Sequence, residues 1–427
     1  MDFLTAIKEQ VIVIDGAMGT MIQDLELTDA EFGGEAYKML SDLLTFSCPD
    51  KLEGIHLKYL HAGSNAVETN TFGASKLRLQ EYNFKDLDIE VFDQYAKDIK
   101  IHDLNYDELT YHLNLRAAQI AKKAIETYKQ DSSYDGRPLF ALGSIGPSNW
   151  VISSTKANLN KASYQMISDN FYQQVLGLID GGADVCLFET QQDALELKAA
   201  VHGAQAAMKE RGKKLPIMAQ ITVDAFSKMQ IFNTDVLAAL TMLQGIGVDV
   251  FGINCSIGPD LMEKTVQKIA EYSQLPISVI PNAGLPVSED GKTVFKLQPD
   301  ELADYLVKFV TKYGVNIVGG CCGTRPAHIE AISKAMKSLK PKKREIKSEA
   351  MVSGPQNAVA LDSKSQVIRI GERLNVRGSL KVRKAVESDG EIDFEALEEV
   401  SQEQIRDLGL EIIDVCMDSN LVNTEDT

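Results

Sequence analysis

No stretch of this chain is apolar enough to span a bilayer as a helix. Its first residues, Met1-Asp2-Phe3-Leu4-Thr5, lack the basic-then-apolar order of a signal peptide. A helical membrane protein and a secreted one are both disfavoured, and a cytoplasmic location is expected. Positive charge is also short: 44 Lys and Arg stand against 61 Asp and Glu, a net charge of -17. Nucleic acid and anionic membrane reward basic patches, so neither is expected as a partner. Six cysteines in 427 residues are too few for a disulfide scaffold. In a reducing compartment they are thiols, and clustered ones point to metal binding or catalysis. Two of the six, Cys321 and Cys322, are adjacent.

From residue 11 to about residue 323, short apolar runs alternate with longer amphipathic stretches. The runs are Val11–Ile14, Ala66–Thr69, Leu139–Gly143, Val185–Phe188, Ile217–Ile221, Val250–Ile253, Ile277–Ile280 and Val315–Val318. Between them, segments such as Tyr164–Leu178, Ala194–Ala207 and Asp300–Lys312 carry apolar residues at helical spacing. Continuously apolar strands suit a parallel sheet buried on both faces. Eight such units predict an α/β fold, a (β/α)8 TIM-type barrel. A Rossmann domain would need a glycine fingerprint after the first run, and Asp15-Gly16-Ala17-Met18-Gly19 lacks the full pattern. Residues 86–103, between the second and third runs, read as an inserted helical excursion with no assigned role.

The character changes after Leu339. Lys340-Pro341-Lys342-Lys343-Arg344, Ser353-Gly354-Pro355-Gln356-Asn357 and Asp362-Ser363-Lys364-Ser365 have the composition of a linker. From Val367 a new βαβ pattern begins, and one such unit cannot bury its own core. The expected domains are therefore 1–338, a barrel; 339–366, a linker; and 367–427, the incomplete start of a second barrel.

In a barrel of this kind, the active site collects at the C-terminal ends of the strands. The sixth run ends at Asn254-Cys255-Ser256 and the eighth at Gly319-Gly320-Cys321-Cys322-Gly323. Cys255, Cys321 and Cys322 should converge at the mouth, where three thiolates suit a catalytic zinc site with one open position. The glycines let the backbone bend so that consecutive side chains reach one metal. Residue pattern alone leaves a vicinal disulfide or unrelated thiols open as alternatives. Cys48 and Cys186 read as core or stray thiols. His56, His61 and His328 read as structural.

These motifs resemble the homocysteine S-methyltransferase family. Gly252-Ile253-Asn254-Cys255 and Gly319-Gly320-Cys321-Cys322-Gly323-Thr324 carry the likeness, with Asp15-Gly16-Ala17-Met18-Gly19-Thr20 and Glu68-Thr69-Asn70-Thr71-Phe72. It covers roughly residues 8–338 and implies a (β/α)8 barrel with zinc on Cys255, Cys321 and Cys322. Further on, Ile370-Gly371-Glu372-Arg373-Leu374-Asn375-Val376 and Ile413-Asp414-Val415 resemble the start of a pterin-binding methyltransferase domain. That order of domains is the arrangement of the cobalamin-dependent methionine synthase family. The resemblance implies that residues matching Glu372, Asn375 and Asp414 lie around a folate ring. Leu374 and Cys416 depart from it, standing where threonine and asparagine are usual.

The chemistry that follows is methyl transfer to homocysteine. A free thiol titrates near ~8.5, and coordination to a cation deprotonates it. A zinc ion already holding three thiolates is a weak Lewis acid that leaves a fourth sulfur nucleophilic toward a methyl group. Glu189, after the fourth run, is the candidate for the substrate ammonium, as the resemblance also implies. Asp15 either assists it or fixes the first loop. Backbone amides at Gly16-Ala17 and Gly143-Ser144 are candidates for the substrate carboxylate, and Glu68, Thr69 and Asn70 for shaping the pocket. The resemblance implies methylcobalamin as donor, brought by a cobalamin-binding domain or protein, with methyltetrahydrofolate as the ultimate source. Rival readings are a betaine or S-methylmethionine homocysteine methyltransferase and a non-catalytic zinc-binding or thiol-sensing protein.

Overall fold

The computed structural model describes residues 1–152, 161–289, 292–361, 367–387 and 392–417. Eight parallel strands form one sheet: β1 (Ile12–Val13), β2 (Ala66–Glu68), β3 (Phe140–Ile145), β4 (Val185–Gln191), β5 (Ile217–Ile221), β6 (Val250–Asn254), β7 (Ile277–Ile280) and β8 (Ile317–Val318). Neighbours follow chain order from β2 to β8, and β8 pairs with β1. A parallel bridge between Ile14 and Ala66 brings β1 against β2, so the sheet curls into the expected barrel. The apolar runs became strands because each is buried on both faces.

Side chains alternate between two cores along every strand. Ile12, Ile14, Ala66, Phe140, Leu142, Val185, Leu187, Met218, Val250, Ile280 and Ile317 fill the interior, joined by Phe3, Ala6 and Ile7 of the N-terminal helix. Phe3 meets Phe140 edge to face with ring centroids 5.3 Å apart, plugging the N-terminal end. Val13, Val67, Ala141, Cys186, Phe188, Ile253 and Val318 point outward, into the layer shared with the helices. That layer includes α1 (Pro49–His61), α2 (Tyr106–Lys129), α3 (Tyr164–Gly181), α4 (Ala194–Arg211), α5 (Val236–Ile246), α6 (Pro259–Tyr272), α7 (Pro299–Tyr313) and α8 (Pro326–Met336). The alternation has a consequence at the strand tops. One step above the apolar interior, the inward positions fall on Glu68, Ser144, Glu189 and Asn254.

The excursion at 86–103 holds two short helical pieces, Gln94–Asp98 and Ile101–Asp103. Leu87, Phe92, Ala96 and Ile101 pack there with Tyr37, Leu40, Leu43 and Phe46, forming a separate small core beside the barrel.

The chain divides into two compact units, Met1–Ser348 with Ser353–Ala358, and Glu349–Val352 with Val359 onward. Much of the segment with linker composition is thus built into the first unit. The Arg344 guanidinium donates to the carbonyls of Ser273 and Leu275, each at 2.6 Å. Thr234 Oγ1 donates to Pro355 O at 2.6 Å, and Asp235 N to Gln356 O at 2.8 Å. In the second unit, β9 (Ile370–Asn375) and β10 (Ile412–Cys416) pair in parallel, with Leu374 opposite Val415. Leu374, Val376, Val382, Val386 and Val400 form its small core.

Candidate functional site

The mouth of the barrel is divided between sulfur and carboxylate. On the sulfur side, β6 ends at Asn254, and Cys255 and Ser256 then take left-handed backbone with φ of 58° and 65°. Such conformations cost non-glycine residues on the order of 1 kcal/mol each and persist where the surroundings over-determine them. Here Cys255 N donates to Ile280 O at 3.1 Å, and Ile257 N to Cys255 O at 2.8 Å. After β8, Gly320 and Gly323 make the double-cysteine turn. A Cβ on Gly320 would sit 2.4 Å from Thr324 Cγ2, and Gly323 has a φ of +80°. The tail of β7 splints this turn. Cys321 N donates to Pro281 O at 2.9 Å, Cys322 N to Asn282 Oδ1 at 3.1 Å, and Ala283 N to Cys322 O at 3.0 Å.

The result brings together the three predicted thiols. Cys255 Sγ and Cys322 Sγ are 3.7 Å apart, and all three sulfurs lie within 4.8 Å of one another. Sulfurs bound at ~2.3 Å around a tetrahedral zinc stand ~3.8 Å apart, so the donor set fits such an ion. Hydrogen bonds donated by Cys321 and Cys322 pull the Cys255 thiol down to about 3. Donating those hydrogen bonds, and so holding on to their protons, pushes Cys322 up to about 12 and Cys321 well above its ordinary value. Among the described residues this is the one group of His, Cys, Asp or Glu side chains close enough to hold a metal ion. Cys48 and Cys186 are buried elsewhere.

The other side holds Asp15, Glu68 and Glu189. Asp15 Oδ2 accepts from Glu68 N at 3.0 Å, while its buried Oδ1 has no hydrogen-bond partner. Glu189 takes a short hydrogen bond from Ser144 Oγ and a longer one, 3.5 Å, from Asn254 Nδ2. Burial raises all three carboxyls. Glu189 reaches about 7, with the Cys255 charge adding to the effect. Asp15 is held well above the carboxylate range by burial and by repulsion from Glu189. Glu68 is held there by burial, Glu189 and Asp15. No lysine or arginine among the described residues relieves any of the three. A cluster of this kind favours an incoming cation.

Two of the backbone amides expected to receive a carboxylate are differently employed. Ala17 N donates to Thr324 Oγ1 at 3.2 Å, and Ser144 N to Thr69 Oγ1 at 3.0 Å. A hydroxyl was available to each, and a buried amide takes the nearest acceptor. Gly16 lies where the backbone passes close to Thr324 and Tyr59, and Gly143 faces outward under Leu178. Ser144 therefore enters the site through its hydroxyl. Thr69 and Thr71 bond each other at 2.6 Å, and Asn70 Nδ2 donates to Ser41 O at 2.8 Å, so both shape the loop after β2. His56 is buried and pushed down to about 4, and His328 Nδ1 accepts from Arg325 N at 3.2 Å. In the second unit Glu372 and Asp414 are exposed. Asn375 Oδ1 accepts from Arg377 N and Gly378 N, each at 2.9 Å, closing its own turn.

Asn254, Asn282 and Thr324 were not singled out from the sequence. The available signal was position: each lies within three residues of a cysteine or at a strand end.

The matching family model is Homocysteine S-methyltransferase, over residues 12–336. The chain belongs to the homocysteine S-methyltransferase family, and its class is that of the methyltransferases. It is 35% identical over 417 residues to the methionine synthase of Mycobacterium tuberculosis (strain ATCC 25618 / H37Rv), covering 98% of this chain and 32% of that protein. With the methionine synthase of Mycobacterium leprae (strain TN) it shares 34% over 422 residues, again 98% and 32%. The chain thus spans about a third of the length of these relatives. Among solved structures, the metallated homocysteine methyltransferase MmuM of Escherichia coli superposes with a TM-score of 0.57 at 22% identity. The match covers 77% of this chain and 98% of that one, a likeness of fold. No helix among the described residues is long and apolar enough to cross a membrane.

Proposed function

We propose that this chain transfers a methyl group to the sulfur of homocysteine, forming methionine, with one zinc ion held by Cys255, Cys321 and Cys322. The observation that carries the reading is the pairing, at one barrel mouth, of a three-thiol cluster with three carboxyls, two buried and one half-buried, that no cation among the described residues compensates. Homocysteine is a thiol with an ammonium group, and it presents one end to each half. When bound, zinc supplies deprotonation of the substrate thiol near neutral pH without making the sulfur inert. The remaining work belongs to the protein. Glu189 receives the ammonium, with Ser144 holding its carboxylate in place, and Asp15 and Glu68, kept protonated by burial and mutual repulsion, ionise more readily once the cation is present. Relief of their mutual repulsion favours the ammonium-bound state. Asn282 and the Pro281 carbonyl hold the double-cysteine turn, so the thiols need little rearrangement on binding.

The methyl donor we assign is methylcobalamin, carried by a separate cobalamin-binding domain or protein and replenished from methyltetrahydrofolate. The support is the chain-wide likeness to methionine synthases. The second unit would be the opening of a pterin-binding domain, with Glu372, Asn375 and Asp414 at its folate site. Glu372 and Asp414 are exposed, so folate capture would draw on further residues of such a domain to enclose the ring.

The test is methionine formation from homocysteine and free methylcobalamin, with zinc counted per chain. Wild type should hold one zinc and form methionine. Cys255→Ser should lose the metal and, with several kcal/mol of stabilisation gone, on the order of 10³-fold in rate. Unchanged activity in that variant would refute the assignment.

A further inference from the structure

Asn254 is the last residue of β6 and is fully buried. It reaches across β5 to β4, since inward-facing residues of alternate strands share a layer in such barrels. Its Nδ2 donates to Thr190 Oγ1 at 2.9 Å and lies 3.5 Å from Glu189 Oε2, while its Oδ1 accepts from Thr190 N at 2.8 Å. Thr190 needs that acceptor. The β4–β5 register shifts between Phe188 and Gln191, and Thr190 sits in left-handed backbone with φ of 58°. One side chain thus fixes the bulge that aims Glu189 into the mouth. The next residue along β6 is Cys255, itself left-handed.

We infer that Asn254 is a positioning residue that sets Glu189 relative to Cys255, and so decides how well a thiol carrying an ammonium group is preferred over one without it. This rests on the reading of the site as a homocysteine site. The side chain touches no reacting atom; it acts through Glu189 and Thr190. Its loss leaves the Cys255 N–H on Ile280 O and the cysteine turn on Asn282 and Pro281, so the metal ligands keep their supports. What it removes is the brace on the β4 bulge, and Glu189 is then free to leave the position suited to the ammonium.

The experiment compares wild type, Asn254→Ala and the isosteric Asn254→Asp in the zinc-loaded chain. Two methyl acceptors are used with free methylcobalamin: homocysteine, and 4-mercaptobutanoate, which is homocysteine without its amino group. Zinc per chain and thermal unfolding are followed alongside. Both variants should retain one zinc. Their preference for homocysteine over 4-mercaptobutanoate should fall at least tenfold, mainly through a higher KM for homocysteine. Asn254→Asp keeps an acceptor for Thr190 N and places a carboxylate against Glu189, so its fold is held while its preference still falls. Equal losses toward both thiols, loss of zinc, or an unchanged preference in Asn254→Asp would overturn the inference. Failure of the wild type to methylate homocysteine would instead sink the underlying functional reading.

Discussion

The two halves of the barrel mouth are built by different means. The sulfur half is a matter of backbone: consecutive left-handed residues at 255 and 256, glycines at 320 and 323, and a splint from the end of β7. The carboxylate half is a matter of burial. Asp15, Glu68 and Glu189 stand near strand ends, Glu189 beside the β4 bulge, and their weakened acidity comes first from lost solvent and then from repulsion by neighbouring charges. A soft metal needs its donors at fixed distances, which backbone geometry supplies. An ammonium group needs carboxyls that ionise when it arrives, which groups kept from water and beside one another supply.

That contrast can be broken from the carboxylate side without touching the sulfur side. Glu189→Gln keeps the shape and an acceptor for Ser144 but removes the charge. A hydrogen bond to a charged group contributes about 1.5–3 kcal/mol, so homocysteine affinity should fall on the order of 10- to 100-fold by calorimetry. Zinc content should stay at that of wild type. Loss of zinc in this variant would show that the halves are not separable.

A smaller effect tests the join between them. A Cβ on Gly16 would lie 2.8 Å from Thr324 Oγ1 and 2.9 Å from Tyr59 Cε1, displacing the hydroxyl that holds Ala17 N. Overpacking costs typically 1–3 kcal/mol, so Gly16→Ala should lower the unfolding midpoint by several degrees. Because Thr324 also donates to Cys321 O at 2.7 Å, zinc should be lost to a chelator faster than from wild type. Identical metal release would confine Gly16 to packing.

The smallest effect sharpens the claim that burial is the main cause that raises a carboxyl, with Asp193 adding a lesser repulsion. Glu196 is buried outside the mouth and is pushed to about 7 by desolvation, although Ser148 N and Oγ donate to it. A folded-state value above the ordinary 4.5 means that the native protein binds the extra proton. Its contribution to stability is therefore present at low pH and lost as pH rises from about 4.5 through about 7. Glu196→Gln should unfold at a higher temperature than wild type at pH 8 and at nearly the same temperature at pH 4. A variant less stable at pH 8 would mean that the hydrogen bonds outweigh the burial.

Much of this was legible in the residues themselves. Apolar runs buried on both faces announced eight parallel strands, because no other arrangement hides such segments. Adjacent cysteines among glycines announced the thiol cluster, because two neighbouring side chains reach one centre only where the backbone can turn sharply. Glu189 was legible as a polar residue ending an apolar run. The roles of Asn254, Asn282 and Thr324 were not, because each acts across strands distant in sequence. The amides of Ala17 and Ser144 were misjudged for the same reason: their hydroxyl acceptors, on Thr324 and Thr69, come from elsewhere in the chain. The sequence by itself determined which chemical groups stand at the strand ends, since period-two alternation and run length are local properties. Only the tertiary structure decided which of them meet, which are already satisfied, and which carboxyls find no cation among the described residues. Those outcomes depend on barrel closure, on a register shift in β4 and on the solvent that folding removes.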